Sequence, residues 1–281
     1  MMEYILDLGG GILSQIANRS RTQMMSYIID CPEGGTIVID GGMYCKEDAD
    51  ELYRQIEARG KRVDLWFFTH CHMDHYGAWL KLMEEGHFDF DVKALCFCFP
   101  DKAWMLTKED REYTEKFYAA LKTYSLPVVT PRAGDVFFCG GISVEVLNEP
   151  IAYENYPSIN PTSIILRMNF PKKSVLFLGD FDRWAEKDYR EHFSIEKLRC
   201  DIVQMAHHGQ GGVSREFYAH IAPKYCLYPT PAWLWENNTR SFGSPETRGQ
   251  GIFRTMETRL WMAELRVVES FHMGYGDWVF R

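Results

Sequence analysis

The chain has 281 residues, 46% of them hydrophobic and 25% charged, a composition that supports a sizeable core and argues against a disordered or fibrous chain. With 31 Lys and Arg against 39 Asp and Glu, the formal charge is −8, a field that disfavours unspecific gripping of nucleic acid. No apolar run reaches the roughly 20 residues of a bilayer crossing, and the N-terminus carries early acids where a secretory signal has a basic start, so the expectation is a soluble cytoplasmic protein without a membrane partner.

No linker, repeat or low-complexity tract divides the chain, which predicts one domain over 1–281. Strand-like runs at 24–30 and 36–40 flank the turn Cys31-Pro-Glu-Gly-Gly35. A helix is predicted over 47–59 and a strand buried on both faces over 63–69 (VDLWFFT). A helix over 74–85, a buried strand over 92–99 and a helix over 110–124 follow. The second half opens with strands at 136–138, 142–147, 163–170 and 174–178. It continues with a helix near 182–192, a strand at 201–206, a helix at 214–221 and a strand at 225–228. A helix over 247–264 and short strands near 266–271 and 277–280 end the chain. Two sheets packed face to face with helices outside are expected. The eight scattered cysteines, Cys71 among them, read as free thiols acting as small apolar residues.

The sharpest feature is Thr69-His-Cys-His-Met-Asp-His75, an H-x-H-x-D-H between a buried strand and a helix. His70 and His72 can point to one side of an extended segment, and Asp74 and His75 turn back at the helix start. Three imidazoles and a carboxylate within six residues suit a divalent transition metal: zinc, iron or manganese. Two further strands end in candidate ligands, one in Gly179-Asp180 and one in His207-His208-Gly209. Ligand-bearing loops at strand C-termini are where open α/β sheets build their sites.

These pieces, with Ile39-Asp-Gly-Gly42 after an early strand, resemble the metallo-β-lactamase superfamily of metal-dependent hydrolases over essentially the whole chain. The resemblance implies an α/β fold of the four-layer αβ/βα sandwich type with a dinuclear metal site at one sheet edge. By position, His70 and His72 would hold one metal, Asp74, His75 and His207 the other, and Asp180 would bridge them. Asp40 would orient a ligand or loop. Two divalent ions are implied, zinc foremost, with manganese or iron as alternatives.

One family histidine is missing. Asn160-Pro-Thr-Ser163 stands in its place, which resembles the branch containing the nuclease-like domain of DNA-uptake competence proteins and the phosphorylcholine esterases. The first metal position is therefore expected to be weak, completed by Asn160, Ser163, His272 or water. Asp74 is the candidate for orienting the attacking water, and His208 and His272 are candidate proton donors to the leaving group. The glycine-rich loop after His208 could cradle an anion or simply permit a turn. Trp233 and Trp235 are candidate walls of a substrate pocket; Arg240, Arg248, Arg254, Arg259 and Arg266 could form a local basic face but are read first as partners of nearby acids such as Glu246, Glu257 and Glu264.

The expected function is hydrolysis of a small phosphoester or related anionic ester. A nuclease acting on DNA or RNA, and a metal-binding protein with little catalysis, are the alternatives. The negative charge favours a small anionic substrate over nucleic acid.

Overall fold

A computed structural model describes residues 1–105, 107–150, 158–238 and 254–281. Strands β1 (Met2–Tyr4), β2 (Ile12–Gln15), β3 (Ser26–Asp30) and β4 (Thr36–Asp40) open the chain. Next come α1 (Lys46–Glu57), β5 (Arg62–Val63), β6 (Leu65–Phe67) and α2 (Met73–Glu84). They are followed by β7 (Asp91–Val92), β8 (Leu95–Cys96), α3 (Lys108–Tyr124) and β9 (Val128–Val129). The second half carries β10 (Val136–Cys139), β11 (Ile142–Val146), β12 (Leu166–Asn169) and β13 (Ser174–Phe177). After α4 (Arg183–His192) come β14 (Ile202–Gln204), α5 (Arg215–Ile221), β15 (Tyr225–Tyr228) and α6 (Ala232–Trp235). The chain closes with α7 (Thr255–Glu264), β16 (Glu269–His272) and β17 (Trp278–Phe280).

The first sheet has the order β1-β17-β2-β3-β4-β6-β8-β9 and the second β10-β11-β12-β13-β14-β15-β16. The strands alternate their burial between two cores, as a period of two requires. Ile37 and Ile39 of β4 face Val144, Leu166 and Phe177 across the gap between the sheets, whereas Val38 joins Trp66, Leu52, Ile56 and Trp79 under α1 and α2. A third core lies outside the second sheet, where Leu176 and Val203 pack against Tyr189, Phe217 and Met262. Both faces of each sheet are thus covered, which is why the inner strands read as continuous apolar runs. The four-layer αβ/βα sandwich is present. Among the described residues, no helix is long and apolar enough to cross a membrane.

The structure departs from these expectations at four points. The strand predicted over 63–69 is broken, because Asp64 turns its carboxylate back to accept from the Thr36 amide (3.0 Å). Strands β1 and β2 are absent from the sequence reading, being too short and Gly-flanked to show a period. The last strand returns to the first sheet, pairing β17 between β1 and β2, so the two halves of the sequence do not map cleanly onto the two sheets. The helix predicted over 247–264 is observed only as Thr255–Glu264, with 247–253 outside the described residues.

Candidate metal centre

The loops that leave the C-terminal ends of β4, β6, β13, β14 and β15 meet at one edge of the sandwich. Asp40 ends β4 in the left-handed region (φ +59°), a conformation that a non-glycine residue adopts when its surroundings demand it. Its fully buried carboxylate accepts from the Thr69 amide (2.7 Å), the Thr69 hydroxyl (2.8 Å) and His75 Nδ1 (2.7 Å). That last bond places the His75 proton on Nδ1 and turns Nε2 toward Asp180 Oδ1, 3.2 Å away. Burial pushes the Asp40 carboxyl upward against the pull of His75 and Thr69.

Gly179 shows why Asp180 is preceded by glycine. Its φ is +56°, and a Cβ there would lie 2.9 Å from Thr69 Cβ. The neighbouring turn is tied by Gln204, whose Oε1 accepts from the Leu178 and Gly179 amides (2.7 and 2.8 Å). Asp180, buried to 1% exposure, is thereby held between two donor groups. One group is Asp74, His75, Asp180 and His208, and the other is His70, His72 and Asp180; the ligand atoms within each lie within 4.8 Å of one another. His70 Nε2 and His72 Nδ1 stand 3.0 Å apart and converge on one point.

Of the adjacent His207 and His208, the structure brings His208 into the group with Asp74, His75 and Asp180. Both adopt left-handed backbone (φ +50° and +53°), so the chain reverses immediately after β14. His208 is carried inward, where Nδ1 donates to the Pro229 carbonyl (2.9 Å) and Nε2 lies 3.0 Å from Asp74 Oδ2 and 3.6 Å from Asp180 Oδ2. His207, whose side chain is 34% exposed, stays at the rim, with Nε2 3.9 Å from Asp180 Oδ2 and 3.5 Å from Asn160 Nδ2. His208 therefore stands in the group of candidate ligand atoms with Asp74, His75 and Asp180, and His207 does not. His272 is not brought to the centre. It stacks on Trp235 at 4.1 Å and accepts from the Gly274 amide (3.3 Å), and the Arg259 guanidinium lies 4.0 Å from the Trp235 ring centroid.

The centre fits divalent cations on its own geometry. The buried atoms His75 Nε2, His208 Nε2, Asp180 Oδ1 and Asn160 Oδ1 make no hydrogen bond of ordinary geometry; the two imidazoles only face carboxylate oxygens, at 3.2 and 3.0 Å, an arrangement that a shared cation would satisfy better. Electrostatics tell the same story. Burial would keep His75 and His208 neutral, yet the facing carboxylates Asp180 and Asp74 (with Asp40 for His75) raise both. Burial works against ionisation of Asp180 and Asp74 as well, and the surrounding imidazoles still hold both carboxyls below the usual range. His70, which burial dominates, is held neutral, as a ligand must be. Protons occupy places that cations would take.

Above this floor opens a cavity of about 1100 Å³, lined among others by Arg21, Gln23, Asp110, His207, Trp233 and Glu236. Gln23 was not signalled by any sequence pattern. Its Nε2 donates to Asp74 Oδ2 (3.4 Å), and Gln210 Nε2 donates to its Oε1 (3.0 Å). Of the two tryptophans, Trp233 lines the cavity and donates Nε1 to the Arg21 carbonyl (2.9 Å), whereas Trp235 packs on Tyr228 and His272. Of the two readings of the glycine-rich loop after His208, the contacts favour the permissive turn. A Cβ at Gly209 would collide with the Tyr228 ring at 2.3 Å, and the Ser214 amide and hydroxyl are taken by Glu186 (2.7 Å each). Arg254 pairs with Glu257 as expected, whereas Arg240, Arg248 and Glu246 lie outside the described residues.

The family model described as Metallo-beta-lactamase superfamily matches residues 20–225. The chain belongs to the metallo-β-lactamase superfamily. Its members are in the main hydrolases that use divalent metals, and the His/Asp donor groups lie inside or at the edge of that match. No curated protein matches the chain. Among solved structures, the metallo-β-lactamase fold protein YhfI from Bacillus subtilis is 11% identical, with 96% of this chain and 99% of that chain covered at a TM-score of 0.58. CmlA, a diiron β-hydroxylase from Streptomyces venezuelae, is 14% identical at a TM-score of 0.59, with 96% of this chain and 54% of that longer chain covered. At such identities these likenesses speak for the metallo-β-lactamase fold alone.

Proposed function

We propose that this metallo-β-lactamase-fold enzyme is a dinuclear zinc hydrolase acting on a small ester with an anionic reacting group, a phosphoester foremost. The observation that carries the reading is the set of buried imidazole and carboxylate ligand atoms gathered in two groups around one shared carboxylate, Asp180, at the floor of an open cavity. Asp74, His75, Asp180 and His208 would hold one cation, and His70, His72 and Asp180 the other. His207 Nε2 lies 3.5 Å from Asn160 Nδ2, beside the segment that replaces the family histidine, and is the better candidate to complete the first position, since imidazole binds zinc more strongly than the Asn160 amide oxygen does. Burial lowers the His207 pKa, which leaves its ring neutral and able to bind.

Bound divalent cations supply a water of lowered pKa and stabilise negative charge developing on the ester. The chain's own groups do the rest. Asp74, kept ionised by His75 and His208, accepts a hydrogen bond from the attacking water and so orients it. Gln23 and Gln210 restrain that carboxylate from the cavity side. The loop 18–23 and the segment Pro231–Glu236 bound a space suited to a small substrate.

The test is metal content by elemental analysis, run with hydrolysis of bis-p-nitrophenyl phosphate, phosphomonoesters, thioesters, lactones and a labelled oligonucleotide, each with Zn²⁺, Mn²⁺ or Fe²⁺. The expected result is about two metals per chain and turnover of a small phosphoester that is lost in Asp74→Ala. Cleavage of the oligonucleotide alone would replace the reading with a nuclease. About one metal per chain and no Asp74-dependent turnover would replace it with a metal-binding protein.

A further inference from the structure

Cys31 and Cys139 are separated by 108 positions in the chain and meet with their sulfurs 3.5 Å apart. Cys31 opens the turn between β3 and β4 in the first sheet, and Cys139 ends β10 at the turn into β11 in the second. The two hairpins are pressed together. The Glu33 amide donates to the Gly140 carbonyl (3.0 Å), and a Cβ at Gly140 would lie 2.7 Å from Cys31 Cβ. The contact is at the end of the sandwich away from the metal centre, because Asp30 pairs with Thr36 at one end of the β3–β4 ladder and Ser26 with Asp40 at the other.

We propose that Cys31 and Cys139 are a redox-active dithiol that closes, under a hydroperoxide, into a disulfide joining the two sheets. The sulfurs need to approach by about 1.5 Å to reach a bonded distance near 2.0 Å. Glycines follow both cysteines, Gly34 and Gly35 in one turn and Gly140 and Gly141 in the other, and give the backbone freedom for that shift. Both residues lie just beneath the surface, 8% exposed for Cys31 and 9% for Cys139, so the oxidant the proposal requires is a small one. A hydrogen bond shared between the two sulfurs favours the thiolate of one partner at the expense of the other, so either cysteine can supply the attacking sulfur. Neither cysteine belongs to the donor groups of the metal centre.

The chemistry balances in two steps. The thiolate of one cysteine attacks one peroxide oxygen; an S–O bond forms, the O–O bond breaks, and the leaving hydroxide takes up the proton lost by that thiol as water. The sulfur of the other cysteine then attacks the sulfenic sulfur; the S–S bond forms, the S–O bond breaks, and hydroxide leaves with the second thiol's proton as a second water. Two thiols are oxidised and one hydroperoxide is reduced.

The experiment treats the intact protein with hydrogen peroxide and reads free thiols, intact mass and a non-reducing peptide map. Expected are the loss of two of the eight thiols, a mass decrease of about 2 Da, and a cross-link between the peptides of Cys31 and Cys139. All three should be reversed by dithiothreitol. Closing so long a loop should raise the thermal midpoint by roughly 5–10 °C. Cys31→Ser and Cys139→Ser should each abolish the cross-link and the midpoint shift. Eight intact thiols at unchanged mass, a cross-link between other cysteines, or oxygen added to either cysteine without a cross-link would overturn the proposal. The parent protein supplies these readouts whether or not either variant folds, and none of them depends on the hydrolytic activity.

Discussion

Replacing Asp40 with Asn tests the part of the centre that no substrate or cation touches. The change keeps the volume and removes one buried charge, but Asn has only one acceptor oxygen where the carboxylate has two. If that oxygen stays on the Thr69 amide, the new NH₂ faces His75 Nδ1 and drives the ring proton onto Nε2, the atom that must bind a cation. If the amide flips, the NH₂ opposes the Thr69 N–H instead and leaves that buried donor unsatisfied. Either outcome costs about 1–3 kcal/mol, which predicts a second-position metal affinity lower by roughly 10–100-fold. The assay is competition for Zn²⁺ against a chromophoric chelator, with thermal midpoints in chelator to confirm folding. Asp30→Asn is the control, because Asp30 pairs with Arg59 far from the cations. Unchanged zinc affinity in Asp40→Asn, or an equal loss in both variants, would refute the role assigned to Asp40.

His208→Ala should cost the second cation outright, bringing content to about one metal per chain, whereas His207→Ala should keep that cation and weaken the first. Elemental analysis after dialysis separates the two, and the reverse pattern would restore the assignment made from sequence. Because His75 and His208 have raised pKa values in the metal-free protein, they carry protons that a cation must displace. Zinc affinity should therefore rise with pH through the neutral range, and calorimetry in buffers of different ionisation enthalpy should show protons released. His272 is lowered to about 4 by burial and by Arg259. The unfolded chain then binds more protons between that value and its own pKa near 6.5, so the contribution of His272 to stability falls as pH drops through this window. His272→Phe should lose less stability between pH 7 and pH 4 in urea titrations, by on the order of 1 kcal/mol after allowance for its partial exposure.

The amino-acid sequence by itself determined the parts of this protein that are local. A buried strand, a short loop and a helix in immediate succession place His70, His72, Asp74 and His75 together whatever surrounds them, and a strand ending in Gly-Asp presents Asp180 at the same kind of terminus. The continuous apolar runs of β4, β6, β13 and β14 required cover on both faces, and so the four layers. What tertiary structure decided depends on partners far apart in the chain. Two adjacent histidines are equivalent in a sequence; the left-handed turn after β14 and the Pro229 carbonyl choose His208 for the interior and leave His207 beside Asn160. Gln23 reaches Asp74 across 51 positions, and β17 crosses from the second half into the first sheet; neither leaves a periodic trace. Cys31 and Cys139 read as scattered small apolar residues until the two sheets packed and brought their hairpins into contact. Backbone propensity and side-chain period act over a few residues, whereas these choices are made by burial and hydrogen bonding between segments that meet only once the sheets have stacked.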